Sequence, residues 1–281
     1  MRLGFVILGM LLGLAGADLR AQDRLEAFPS ALLGRTVRIA LHEPSREAVA
    51  AHRARHGGGR LCLVLFLPGF FDGPGDLLDQ GVFADLGRRE TAGELAPSLW
   101  VAVTHFKGWY ADRKDGHFPY ERFLLEELLP ALEARFPGFG GGPAARCVAG
   151  MSMGGFGALN LCGRTRLFGR CLALSPALVE APFKGLPWYI RWSLTRTLPT
   201  EAAAFRPWSL REHRAGAAAL HLTCGTEDRY GLDRGVRGFA ELARRPGRQV
   251  EVFLGPGGHD WAYWTAEIRR QASWVAACAP D

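Results

Sequence analysis

Ser152 lies in the run Val148-Ala149-Gly150-Met151-Ser152-Met153-Gly154-Gly155-Phe156-Gly157, where an apolar strand pattern from Arg146 to Ala149 meets a helix-forming stretch. Gly-x-Ser-x-Gly in that setting is the pattern of a nucleophile elbow. The turn is tight enough to demand small flanking residues, and it lifts the serine hydroxyl clear of a sheet. The helix that follows aims its free N–H groups at any anion forming there. A serine hydroxyl is a weak nucleophile until an imidazole takes its proton, and the imidazole needs a carboxylate to hold its tautomer. The chemistry on offer is acyl transfer through a covalent serine intermediate.

Turns of this kind take their partners in the chain order serine, acid, histidine. Three histidines follow Ser152. His221 lies inside the apolar run Leu220–Cys224 and reads as a strand residue, while His213 sits in the charged run Arg211-Glu212-His213-Arg214 and reads as a solvated helix surface. His259 follows a strand pattern and the loop Gly255-Pro256-Gly257-Gly258, where a chain can turn sharply and present a side chain. It is the expected general base. The run Leu220–Cys224 ends in Gly225-Thr226-Glu227-Asp228, so a carboxylate emerges at the carboxyl end of a strand, where sheets of this type place their sites. Asp228 is the expected acid. Glu227 reads as a solvated loop charge, Asp260 is too close in sequence to support the ring of His259, and Asp233 is a weaker candidate. The oxyanion donors expected are the backbone N–H of Met153, next after the serine, and that of Phe70. Phe70 belongs to the loop Pro68–Gly73 after the continuous apolar run Leu61–Leu67.

The elements that must position these groups alternate strand and helix patterns. Leu61–Leu67 is apolar throughout, as a strand buried on both faces should be. Between Tyr120 and Phe136 a helical stripe places Leu125, Leu128, Leu129, Leu132 and Phe136 together, with Pro130 expected to kink or end the helix. After the strand Cys171–Leu174 a long stretch precedes the next strand at Leu220. It carries Phe183, Trp188, Tyr189, Trp192, Phe205 and Trp208, and is expected to form a cap over the site at about residues 181–212.

With these residues in place, the chain resembles the esterase D-like, or "putative esterase", family of α/β-hydrolases. That family includes feruloyl and acetylxylan esterases, S-formylglutathione hydrolase, enterochelin esterase and the mycolyltransferases. Trp109-Tyr110-Ala111-Asp112 is similar to the family's Trp-Tyr-x-Asp segment, and Tyr120-Glu121-Arg122-Phe123 through Glu126-Glu127-Leu128-Leu129-Pro130 to its Tyr-Glu-x-Phe helix. Gly258-His259-Asp260-Trp261-Ala262-Tyr263-Trp264 resembles the signature around its histidine. The resemblance runs from about Thr36 to the C-terminus. It implies a mostly parallel central sheet with helices on both faces and a short cap, and a triad of Ser152, Asp228 and His259. Many members carry His-Gly where this chain has Pro68-Gly69.

The 281 residues suffice for one such domain. Met1-Arg2, the apolar Leu3–Leu14 and Ala15-Gly16-Ala17 read as a signal peptide over 1–21, cleaved near residue 17 or 21, leaving a single domain over 22–281. A secreted or periplasmic location follows, without stable membrane insertion after cleavage. The formal charge of +6 rests on dispersed arginines, the only lysines being Lys107, Lys114 and Lys184, which argues against nucleic acid. Of six cysteines, Cys62, Cys147, Cys171 and Cys224 fall in strand patterns as small apolar residues, leaving room for one disulfide rather than a framework. His52 and His56 have a metal-capable spacing but no acidic or cysteine partner nearby, so no metal or cofactor is expected.

The reading is an exported serine carboxylesterase acting on acetyl or feruloyl esters of a small molecule or polysaccharide. Its candidate substrate contacts are Trp109, Tyr110, Trp188, Trp192 and Trp261. The alternatives are an acyltransferase of mycolyltransferase type, a thioesterase of S-formylglutathione hydrolase type, and a secreted binding protein on a hydrolase scaffold. The complete serine, acid and histidine set counts against the last.

Overall fold

The computed structural model describes residues 22–210, 219–244 and 246–278. The expected signal peptide, His213 and the last residues of the expected cap lie outside the described residues.

Eight strands form one sheet: β1 (Gln22–Ser30), β2 (Arg35–Glu43), β3 (Cys62–Leu67), β4 (Ser98–Val103), β5 (Arg146–Met151), β6 (Arg170–Leu174), β7 (Ala219–Gly225) and β8 (Val250–Gly255). Their order is β1-β2-β4-β3-β5-β6-β7-β8. The first hairpin is antiparallel and β2 meets β4 antiparallel, while all pairings from β4 through β8 are parallel. Side chains alternate between faces along each strand. Leu63, Leu65 and Leu67 of β3 therefore join one core, which also holds Phe123, Phe156 and Leu194. Cys62, Val64 and Phe66 join the other, against Phe83, Trp264 and Ile268. A strand packed on both faces must be apolar at every position, which explains the uninterrupted run of β3.

Two details differ from the sequence expectation. Pro130 does not end its helix. Residues Phe123–Leu128 wind as a π-helix between the α-helical pieces Tyr120–Arg122 and Leu129–Arg135. The Leu129 N–H donates five residues back to the Leu124 carbonyl, so Pro130 enters as a first-turn residue of a new α-helical piece, where no N–H is needed. The wide turn also shifts the buried stripe: Leu124 is fully buried, whereas Leu125 is only partly so. The second concerns Cys62, read as a small apolar strand residue, which instead makes the one disulfide the sequence left room for. Cys62 at the start of β3 is joined to Cys278, just beyond the C-terminal helix Trp261–Ala276, while Cys147, Cys162, Cys171 and Cys224 are free and buried.

Candidate active site

Parallel strands deliver their following loops to one edge, and the chemistry-bearing residues all sit there. Ser152 follows β5, Asp228 follows β7, His259 follows β8, and the Pro68–Gly73 loop follows β3. Ser152 has φ 54° and ψ −115°, a conformation that L-residues rarely adopt. Its N–H donates to the Leu174 carbonyl at 2.9 Å and its own carbonyl accepts from Phe156 and Ala177 at 3.1 and 2.9 Å, so the turn is held from three sides. Steric exclusion does the rest. A Cβ on Gly150 would lie 2.3 Å from the Gly154 carbonyl oxygen, and one on Gly154 would lie 1.7 Å from that of Leu67.

The turn presents the Ser152 hydroxyl to His259, with Oγ 3.0 Å from Nε2, and His259 Nδ1 lies 2.7 Å from Asp228 Oδ2. The three sequence candidates thus form one hydrogen-bonded chain. The loops bearing the acid and the histidine are stitched together by their backbones: Thr226 N–H donates to Gly255 O at 2.8 Å and Glu227 N–H to Gly257 O at 3.0 Å. The Asp228 and His259 side chains are 0% and 6% exposed, so their hydrogen bond is shielded from water. Burial alone would push the Asp228 carboxyl up. The His259 ring, the Tyr230 N–H and the Cys224 thiol outweigh it and hold the carboxyl below its ordinary value. The rings of Tyr230 and Trp264 stand edge-on to His259, with centroids at 4.8 and 4.9 Å, and fix its plane.

The rejected acids have other places. Glu227 is exposed. Asp260 caps the helix Trp261–Ala276, accepting from Tyr263 N–H at 3.0 Å. Asp233 lies in the first turn of the helix Leu232–Ala243. His221 sits in β7, with Nδ1 3.5 Å from Glu251.

Met153 is the first residue of the helix Met153–Arg164. The Gly69-Phe70 backbone passes close to the serine: a Cβ on Gly69 would lie 3.6 Å from Ser152 Cβ. Pro68 is pinned by the Tyr110 hydroxyl, which donates to its carbonyl at 2.7 Å.

A cavity of about 690 Å³ opens over Ser152 and His259. That is within the range that holds small organic ligands. Phe70, Phe71, Trp109, Tyr189 and Trp261 line it. Trp109 and Trp261 therefore line this cavity, whereas the other three aromatic candidates do not. Tyr110 is buried under the Pro68 loop, and Trp188 and Trp192 are 75% and 54% exposed and outside the lining. The helix Trp188–Thr197 turns Tyr189 and Ile190 to the cavity instead. Asp72 escaped sequence reasoning altogether. It lines the cavity and accepts from Trp261 Nε1 at 2.9 Å. Burial raises its carboxyl above the ordinary value, against the lowering effect of that indole bond.

Among the described residues, no group of three or more His, Cys, Asp and Glu side chains could hold a metal, and no helix is long and apolar enough to cross a membrane. His52 and His56 lie in the helix Arg46–His56, with ring centroids 4.6 Å apart.

The family described as "Putative esterase" matches residues 102–274. Among solved structures, a ferulic acid esterase superposes with a TM-score of 0.72 at 20% identity, over 92% of this chain and 98% of its own. S-formylglutathione hydrolase from Staphylococcus aureus gives 0.68 at 18% identity, over 91% and 99%. MPT51 from Mycobacterium tuberculosis gives 0.68 at 16% identity, over 92% and 99%. These likenesses establish a shared α/β-hydrolase fold. No curated protein matches at the level of sequence.

Proposed function

Because the chain belongs to the "Putative esterase" family and is thereby a serine hydrolase of ester bonds, we propose that Ser152, His259 and Asp228 carry out its reaction through an acyl-enzyme. The observation that carries this reading is the continuous hydrogen-bonded chain from the Ser152 hydroxyl to the Asp228 carboxylate, at 3.0 and 2.7 Å, on the floor of the cavity. His259 Nε2 accepts the hydroxyl proton as Oγ attacks the ester carbonyl. Asp228 holds the proton on Nδ1, and so keeps Nε2 free to accept. The backbone N–H groups of Met153 and Phe70 receive the oxyanion. Collapse of the tetrahedral intermediate expels the alcohol, which leaves with the proton from His259. Water then enters, gives its proton to the same nitrogen and releases the acid.

We assign the substrate class as acetyl or feruloyl-type esters on a polysaccharide, met by an exported enzyme. The aromatic lining of the cavity supports this, since Phe70, Phe71, Trp109 and Tyr189 offer flat apolar faces to an aryl acyl group or a sugar ring. Labelling with a fluorophosphonate probe tests the mechanism. Mass spectrometry should find one adduct, on the peptide carrying Ser152, and Ser152→Ala should remove it. Labelling elsewhere, or none, overturns the assignment.

A further inference from the structure

A second cavity of about 370 Å³ lies beside the catalytic one, and its lining is cationic. Arg35, Lys107, Arg113 and Arg196 face it and, among the described residues, no acidic side chain does. Arg113 is neutralised from outside by Asp115, at 2.5 Å. Among the described residues, no carboxylate comes within ion-pairing distance of Arg35, Lys107 or Arg196. Elsewhere the arginines are commonly paired, as with Glu26, Glu121, Glu133 and Glu267. Three unpaired cations around one concavity with no acid in its wall make a focused positive potential, which dispersed surface arginines would not.

Aromatic rings hold these cations in place. The Arg35 guanidinium stands 5.4 and 5.7 Å from the ring centroids of Phe106 and Phe118, and that of Arg196 stands 4.5 Å from Trp192. A stacked guanidinium keeps its planar fork of N–H donors ordered for a carboxylate. Phe106 and Lys107 have φ 48° and 53°, so the loop that displays them is held in a conformation unfavourable to side chains with a Cβ.

The two cavities share their dividing wall. Tyr189 and Ile190 line the catalytic side of the helix Trp188–Thr197, and Trp192, Ser193, Arg196 and Thr197 line the cationic side. Trp109, in the catalytic lining, donates through Nε1 to Ser193 Oγ at 2.8 Å. Lys107 Nζ lies 5.0 and 5.9 Å from the rings of Phe70 and Phe71. A ligand reaching from Ser152 over this wall would meet aromatic faces first and then unpaired guanidinium groups.

We propose that the second cavity is a subsite for a carboxylate-bearing sugar of the ester substrate, so that the enzyme prefers acylated acidic oligosaccharides to neutral ones. The inference rests on the esterase reading of Ser152 and deepens it. Arg35 and Arg196 bind the carboxylate, while Phe106 and Trp192 offer apolar faces to the sugar ring. Bidentate, charge-assisted hydrogen bonds are the strongest such contacts available to a protein surface.

Two measurements on the full chain test it. In calorimetric titration, trigalacturonate should bind and xylotriose should not. The Arg35→Gln, Arg196→Gln double variant should weaken binding by about tenfold or more, the change expected when charge-assisted bonds are lost. If the double variant unfolds, Arg196→Gln alone carries the same measurement, since that side chain is on an exposed helix face. In kinetics, KM for acetylated trigalacturonate should rise about tenfold in the variant with kcat held, the pattern of lost uniform binding. Hydrolysis of p-nitrophenyl acetate should not change, because neither arginine lines the catalytic cavity. Equal binding of trigalacturonate and xylotriose, indifference to the substitutions, or equally strong binding of inorganic sulfate would overturn the subsite. A protein that binds trigalacturonate through these arginines but hydrolyses no ester would instead sink the esterase reading alone.

Discussion

The floor and the roof of the catalytic cavity are built from different interactions. On the floor, backbone sterics leave almost no freedom: Gly150 and Gly154 admit no Cβ, and Ser152 is held by hydrogen bonds from its own backbone and its neighbours'. His259 is gripped by a carboxylate at 2.7 Å and by two ring edges. On the roof, the helix Trp188–Thr197 presents Tyr189 to Phe70 and Phe71 through ring contacts of 6.0 and 5.7 Å, with Trp188 largely in solvent. Substitutions on the floor should therefore act through chemistry or folding and spare nothing. Those on the roof should redistribute preference among substrates, because apolar contacts can be rearranged one at a time.

The floor predicts the largest effects. Ser152→Ala should reduce turnover of p-nitrophenyl acetate by about a million-fold with an unchanged melting temperature, as loss of triad nucleophiles does. Retention of more than a few per cent of activity would remove Ser152 from the mechanism. Asp228→Asn should cost about four orders of magnitude by releasing the wrong tautomer of His259, and Glu227→Gln should be mild. If the two were reversed, the acid would be the neighbouring residue. Asp228 also bears on stability. Its carboxyl is held below the ordinary value, so its contribution is present above the unfolded value of about 3.9 and is lost as pH falls through the folded value. Thermal melts of Asp228→Asn should accordingly lose less stability than wild type between neutral and acid pH.

Gly154→Ala sharpens the contrast from the steric side. The new methyl would lie 1.7 Å from the Leu67 carbonyl and 2.7 Å from that of Pro68, both backbone atoms that cannot swing away. We expect destabilisation of about 3 kcal/mol or more, the range reached by forced overpacking, together with misplacement of the Met153 N–H. Trp188→Ala, on the exposed side of the roof, should leave the melting temperature within a degree or two, since surface substitutions rarely exceed about 0.5 kcal/mol. A Gly154→Ala protein that melts normally and hydrolyses at wild-type rate would show that the turn tolerates more than its contacts allow.

The same division governs how much of the molecule is legible in its sequence. The hydrogen-bonded grouping of Ser152, Asp228 and His259 is legible because each stands at a place where the backbone imposes its own residue types: glycines around a strained turn, a carboxylate at a strand end, a histidine after a glycine loop. The parallel strands are legible in the uninterrupted apolar run of β3. The π-helical turn at Phe123–Leu128 is not, because nothing in the pattern marks the extra residue that lets Pro130 begin a fresh piece of helix. The roof misleads for a related reason. On the helix Trp188–Thr197 the apolar pair Trp188 and Trp192 share one face, yet the buried face carries Ser193 and Thr197. Those hydroxyls are satisfied by Trp109 Nε1 and by the Ser193 carbonyl, so burying them costs little. Hydrophobic patterning cannot see a partner supplied by another loop. The Cys62–Cys278 bond, 216 residues apart in sequence, is likewise invisible to spacing.

The smallest expected effect probes the roof itself. Tyr189 packs against Phe70 and Phe71 and lines the cavity, while Trp188, one residue earlier, lies outside that lining with its ring edge-on to Tyr189 at 5.9 Å. If aromatic faces select the acyl group, Tyr189→Ala should lower the ratio of feruloyl to acetyl ester hydrolysis by about three- to tenfold, since an aromatic contact adds roughly 0.5–1.5 kcal/mol beyond area burial. Trp188→Ala should leave that ratio within about twofold, a difference below roughly 0.5 kcal/mol. Steady-state kinetics on methyl ferulate and p-nitrophenyl acetate suffice for both. Equal losses on both esters in Tyr189→Ala would mean that the ring props the Phe70 loop and so belongs with the floor. A larger change from Trp188 than from Tyr189 would mean that the exposed face of this helix, not its cavity face, meets the substrate.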